Sequence, residues 1–222
     1  MEPCSEQLDL IKTYIRPVKL RLWFPPNDRF AATVARLCIL REDFGLEMQG
    51  IYVEDLEQLD ANSAFWRRLY FWRNLVRTLL EIRKALESLN TIPEFKKAMR
   101  AQTLIWQKKF GQMMRRLQKA EQIVDEIRNN LGGHVLHRGV AKALDNMDIG
   151  RWSFIEIGRT LGKTHYKFVG ELVGEILLAG IPEEQRLAEL ERQFHTIAEL
   201  LPVFELTDII LTVYAESRNL ID

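Results

Sequence analysis

Residues 106–131 read WQKKFGQMMRRLQKAEQIVDEIRNNL, and the spacing of their apolar side chains decides the fold. Trp106, Phe110, Met113, Leu117, Ala120, Val124, Ile127 and Leu131 recur alternately every four and three residues. At helical pitch such positions form one stripe. A stripe kept for more than three heptads requires a second helix packed along its length. Upstream, Thr91-Ile92-Pro93-Glu94 breaks the chain and opens a helix, since proline is tolerated in a first turn. One helix is therefore predicted from about 93 to 130.

The same reading extends in both directions. Phe65, Leu69, Trp72, Val76, Leu79 and Leu86 give a second long helix over about 62–90, with Asn62 or Ser63 as its cap. The N-terminal third predicts a short helix near 5–15, a turn at Pro25-Pro26-Asn27-Asp28, and a helix over about 28–43. Gly45 and Gly50 then bracket a loop. Beyond Gly132-Gly133 a short helix is expected near 136–146, and Trp152–Ile157 reads as a strand or a buried loop. A helix over 165–179 stops at Gly180-Ile181-Pro182. Leu187, Leu190, Phe194, Ile197 and Leu201 then mark a long helix, which Pro202 kinks or replaces by a further helix to about 218. The class is all-α: an antiparallel helical bundle with long central helices and an irregular N-terminal arm. Residues 1–61 form the arm and short helices packed on the bundle, and residues 62–222 form the bundle.

Composition narrows the function classes. Of 222 residues 47% are apolar and 28% charged, which suits a globular protein. Cys4 and Cys38 are the two cysteines, too few for a secreted disulfide scaffold. Neither a signal peptide nor a stretch of about 20 apolar residues is evident, so no membrane partner and a cytoplasmic location are expected. The formal charge of +0 conceals an asymmetry. Residues 66–119 carry 14 Lys and Arg against three Glu, an excess of +11, while residues 183–222 carry nine acids against three Arg. Paired basic helices suit a polyanion such as RNA. They equally suit an acidic C-terminal helix packed beside them.

Arg128-Asn129-Asn130-Leu131-Gly132-Gly133-His134 is the segment best suited to chemistry. Arg128 follows the seam residue Ile127, and His134 falls on the seam if the helix continues. Both would then look into a groove between helices, as active-site groups or as a hydrogen-bonded core pair. Arg128-Asn129, with His134 after five intervening residues, resembles the HEPN superfamily, helical bundles in which an Arg-polar…His motif lies near the end of a long helix. The resemblance implies a metal-independent endoribonuclease without cofactor, working as a homodimer with a composite site. Arg128 would grip phosphate, Asn129 would orient the phosphate or the Arg, and His134 would move protons. Arg115, Arg116, Lys119, His137 and Arg138 would bind the nucleic acid. Toxin or phage-defence roles, with an antitoxin or other protein partner, would be typical. The alternative is a non-catalytic interaction module that uses the basic face.

Other patterns are weaker. Arg159 and His165 repeat the spacing without the Asn or the long helix. Gly158–Thr164 has three residues between its glycines where a phosphate loop needs four, which leaves at most an anion held by Lys163 and backbone amides. His134 and His137 would need a third ligand such as Asp145 or Asp148 to hold a metal, so no metal site is expected. His195 reads as structural, and the five tryptophans read as core or interface residues.

Overall fold

The computed structural model describes residues 18–52, 61–131, 137–148, 150, 152–153, 155–156, 165–166, 168–178 and 181–221. A short turn of helix, α1 (Leu20–Trp23), precedes the Pro25-Pro26 turn. Asp28 then caps α2 (Arg29–Tyr52), accepting the Ala31 N–H at 2.9 Å. The helices that follow are α3 (Ala61–Leu89), α4 (Pro93–Arg100), α5 (Leu104–Leu131), α6 (His137–Asn146), α7 (Phe168–Leu177), α8 (Glu183–Ala198) and α9 (Val203–Ser217). A two-stranded hairpin, β1 (Ile155–Glu156) with β2 (His165–Tyr166), lies between α6 and α7. The all-α expectation holds. Among the described residues no helix is long and apolar enough to cross a membrane.

α2 and α3 run antiparallel. Arg36 pairs with Glu81, and further along Gly50 meets Phe71. α9 runs antiparallel to α2 in turn, with Asp28 against Arg218, Phe30 against Tyr214, Arg41 against Asp208 and Phe44 against Phe204. α5 completes the central layer against α3 and α9, while α7 packs on α3, α5 and α6. The expected seam is buried at Phe110, Met113, Leu117, Ala120 and Val124. α3 buries more than its expected stripe, adding Leu75, Leu80, Ile82, Ala85 and Leu89, because it has neighbours on several sides.

Several boundaries differ from the sequence reading. α2 continues through Gly45 and Gly50 to Tyr52, so those glycines lie within a helix. Gly50 is required there because a Cβ would lie 2.4 Å from the Phe71 ring. α3 begins at Ala61, which places Asn62 and Ser63 inside it. The expected 93–130 helix is two helices. Ala101 closes α4, and Gln107 donates its side-chain amide to the Gln102 carbonyl at 2.9 Å. Gln102 itself reaches Glu216 on α9 at 2.8 Å. That corner lets Phe95 on α4 fold back to 5.3 Å from Phe110 on α5. His165 and Tyr166 are strand and α7 starts at Phe168, not 165. Pro202 opens a separate helix, α9. On α8 the buried positions are Gln193 and Ile197, and Phe194 is 50% exposed, so that seam is rotated from the expected one. Arg186 joins α7 to α8 through a two-pronged pair with Glu175, at 2.7 and 2.8 Å.

Glu47 is the unusual group in this core. Its carboxyl accepts the Thr78 hydroxyl at 2.9 Å, and its second oxygen is buried without a partner. Burial pushes its pKa up to about 7, with Asp43 adding to the shift and Thr78 and Arg77 opposing it. A raised carboxyl pKa means that folding favours the protonated form, an advantage complete below the unfolded value and lost as pH rises through about 7. Thermal melts of wild type should therefore lose stability between pH 4.5 and about 7 relative to Glu47→Gln. The difference should be roughly 1–2 kcal/mol, since the residue is only half-buried and solvent screens it. Gly50→Ala should destabilise by about 1–3 kcal/mol through overpacking. Gly111→Ala meets nothing within 4 Å and should stabilise by about 0.5–1 kcal/mol, read by urea denaturation.

Candidate nucleic-acid interface

α5 carries its cations on two distinct faces. At about 100° per residue, Lys108, Gln112, Arg115 and Lys119 fall within roughly 60° of one another and span about 16 Å. All four are exposed. Among the described residues, Lys108, Arg115 and Lys119 make no ion pair, and neither do the exposed Lys96, Lys97 and Arg100 on α4.

Lys109 and Arg116 lie a quarter-turn away and are engaged by the acidic C-terminal helices. Lys109 pairs with Glu205 at the start of α9. Arg116 donates Nη1 to the Glu199 carbonyl at 3.1 Å, just past the end of α8. A guanidinium there satisfies a free carbonyl and complements the negative end of the helix. Arg116 is thus a packing residue of α8, whereas Arg115 and Lys119 face solvent. Charge is also balanced elsewhere in the basic pair: Arg83 bridges Glu87 and Glu121 at 2.8 and 2.6 Å, and Lys84 reaches Glu81 at 2.8 Å. The acidic helices therefore neutralise one edge of α5 and leave the outer stripe open.

Arg128 and Asn129 lie in the last turn of α5, and α6 opens with His137 and Arg138. The side chains of Arg128, Asn129, His137 and Arg138, and the whole of His134, lie outside the described residues. Gly158–Thr164 does as well, but β2 follows it directly, so the strand-loop-helix order of a phosphate loop is absent. By helical phase, position 128 continues the buried line of Phe110, Leu117 and Val124. It stands about 140–180° around α5 from Arg115 and Lys119.

Two further expectations are corrected. His195 projects outward, its side chain 79% exposed, with Nε2 at 3.5 Å from Glu199. Trp152 is 86% exposed and belongs to no core. Trp72 is buried as expected. Cys38 is half-buried and burial raises its thiol pKa, against the pull of Arg41, so it is no activated nucleophile. Lys108 was missed from the set of binding residues, although its seven- and eleven-residue spacing to Arg115 and Lys119 was present in the sequence. No family model matches the chain, and no curated protein or solved structure does either.

Charge reversal separates the two faces. Arg115→Glu with Lys119→Glu should weaken binding of an RNA oligonucleotide at least about tenfold in a filter assay and flatten its salt dependence. Arg116→Gln should change that binding much less and lower stability by about 0.5–1 kcal/mol, read by urea denaturation.

Proposed function

We propose that the chain is an HEPN-like RNA-binding protein that cuts the RNA backbone without a metal ion, using Arg128, Asn129 and His134. The observation that supports this is positional: Arg128-Asn129 falls in the last turn of the same long helix that carries the open cation stripe. The stripe gathers RNA by long-range attraction, and the helix end supplies the chemistry.

The residue types suit the reaction. His134 removes the proton from an RNA 2′-hydroxyl, and that oxygen attacks the adjacent phosphorus. Arg128 holds the non-bridging oxygens as charge gathers on them. The 5′-oxygen leaves and takes a proton, so the products are a 2′,3′-cyclic phosphate and a 5′-hydroxyl. One histidine serves as base. A second copy of the motif across a two-fold axis supplies the acid, which is why a homodimer belongs to the proposal.

A second reading, a binding module without catalysis, draws on the phase of α5. RNA lying along Arg115 and Lys119 runs on the face opposite position 128, so it must pass around the helix end to be cut. Cleavage of end-labelled RNA in EDTA distinguishes the two. Wild type should yield cyclic-phosphate ends, and His134→Ala and Arg128→Ala, folded and in the same oligomeric state, should lose activity about 100-fold or more. Retained RNA binding by a wild type that does not cut would establish the module instead.

A further inference from the structure

The hairpin between α6 and α7 presents an apolar face that the bundle does not use. Ile155 and Tyr166 are directly opposed in register, so both project from one side of the ribbon, and they are 55% and 56% exposed. Trp152, three residues upstream, is the most exposed large apolar side chain among the described residues, at 86%. Its position is fixed from behind, because the neighbouring Ser153 donates its hydroxyl to Glu171 on α7 at 3.0 Å. Tyr166 is steadied by Phe168, its ring 5.8 Å away.

Anchored aromatic rings left in water mark a binding surface. The charge around them indicates what binds. Residues 150–167 contain Arg151, Arg159, Lys163 and Lys167 against one acid, Glu156. Basic residues interleaved with aromatics suit a ligand that alternates phosphate with flat rings. Paired bases in a duplex hide their faces, whereas an unpaired strand offers them for stacking. The hairpin leads directly into α7, which packs on α5 and α6, the helices that border the Arg128–His134 segment.

We infer that Trp152 and Tyr166 form a stacking platform for the bases of single-stranded RNA. The inference rests on the proposed RNA ligand and not on the cleavage chemistry. It accounts for base contacts, which the cation stripe of α5 does not supply.

The experiment is equilibrium binding of a labelled oligoadenylate and of an abasic strand of equal length, to wild type, Trp152→Ala, Tyr166→Ala and Trp152→Phe. Wild type should prefer the oligoadenylate. Each alanine variant should bind it about tenfold more weakly, with little change on the abasic strand, and Trp152→Phe should keep most of the affinity. Equal binding of both strands by wild type would overturn the platform, as would alanine variants that bind oligoadenylate normally. If those variants instead shift a dimer to monomer with RNA affinity intact, the face belongs to a second copy of this chain. Loss of binding in Arg115→Glu/Lys119→Glu but not in the alanine variants would leave the RNA reading standing and remove this one. Absence of RNA binding by wild type would remove both.

Discussion

The Phe30 ring, edge-on to Tyr214 at 4.9 Å and to Phe95 at 5.9 Å, is the contact on which the rest of the bundle depends. It extends at both ends. Phe24 stacks on Tyr214 at 5.9 Å, and Phe95 leans on Phe110 at 5.3 Å. Five rings therefore tie the turn after α1 to α9, α2, α4 and α5 in that order. Edge-to-face geometry matches the positive rim of one ring to the negative face of the next, so the contacts fix orientation as well as area. Asp28 reinforces the junction by capping α2 and pairing with Arg218 at 2.5 Å. The last helix thus locks onto the first long one. α4 is held in turn, and so is the starting direction of α5, on which the cation stripe lies.

The long helices were legible because helical period survives any arrangement of neighbours. Leu69, Trp72, Val76, Leu79 and Leu86 had to share a face whatever covered it, and all are buried. What escaped the sequence depends on partners far along the chain. The α4–α5 corner exists because Phe95 gains Phe110 and Phe30, and Gln102 gains Glu216, contacts that a continuous helix would forgo. Gly50 looked like a loop residue, but its lack of a side chain serves the approach of α3 through Phe71. On α8 the apolar periodicity pointed to Phe194. The side that faces the protein is one residue away, where polar Gln193 is buried and donates to Glu189 at 2.8 Å.

The candidate site was legible in part, for a similar reason. Residue type announces chemistry, so Arg115, Arg116 and Lys119 were named together as cations. Phase and neighbours then divided them. Arg116 lies near enough to the end of α8 to be taken by the Glu199 carbonyl, whereas Arg115 and Lys119 find no carboxylate within reach. Sequence position alone could not distinguish adjacent arginines. The same holds for the tryptophans: Trp72 and Trp152 are the same residue type, but one is buried in α3 and the other stands in solvent on an anchored segment.

A chain with formal charge +0 could have dispersed its charges evenly, and this one does not. Its acids neutralise the edges of α5 that touch α3, α8 and α9, through Glu121, Glu199 and Glu205. The outer face keeps Lys108, Arg115 and Lys119 along about 16 Å without compensation. Like charges spaced by about one and two helical turns repel, and pairs four apart cost a few tenths of a kcal/mol. Stability alone gives no reason to gather them there, since any exposed acid on that stripe would relieve the repulsion. A polyanion relieves it too, and gains entropy by shedding its own counterions to those same side chains. The uncompensated stripe is therefore better explained by a bound phosphate backbone than by the requirements of the fold.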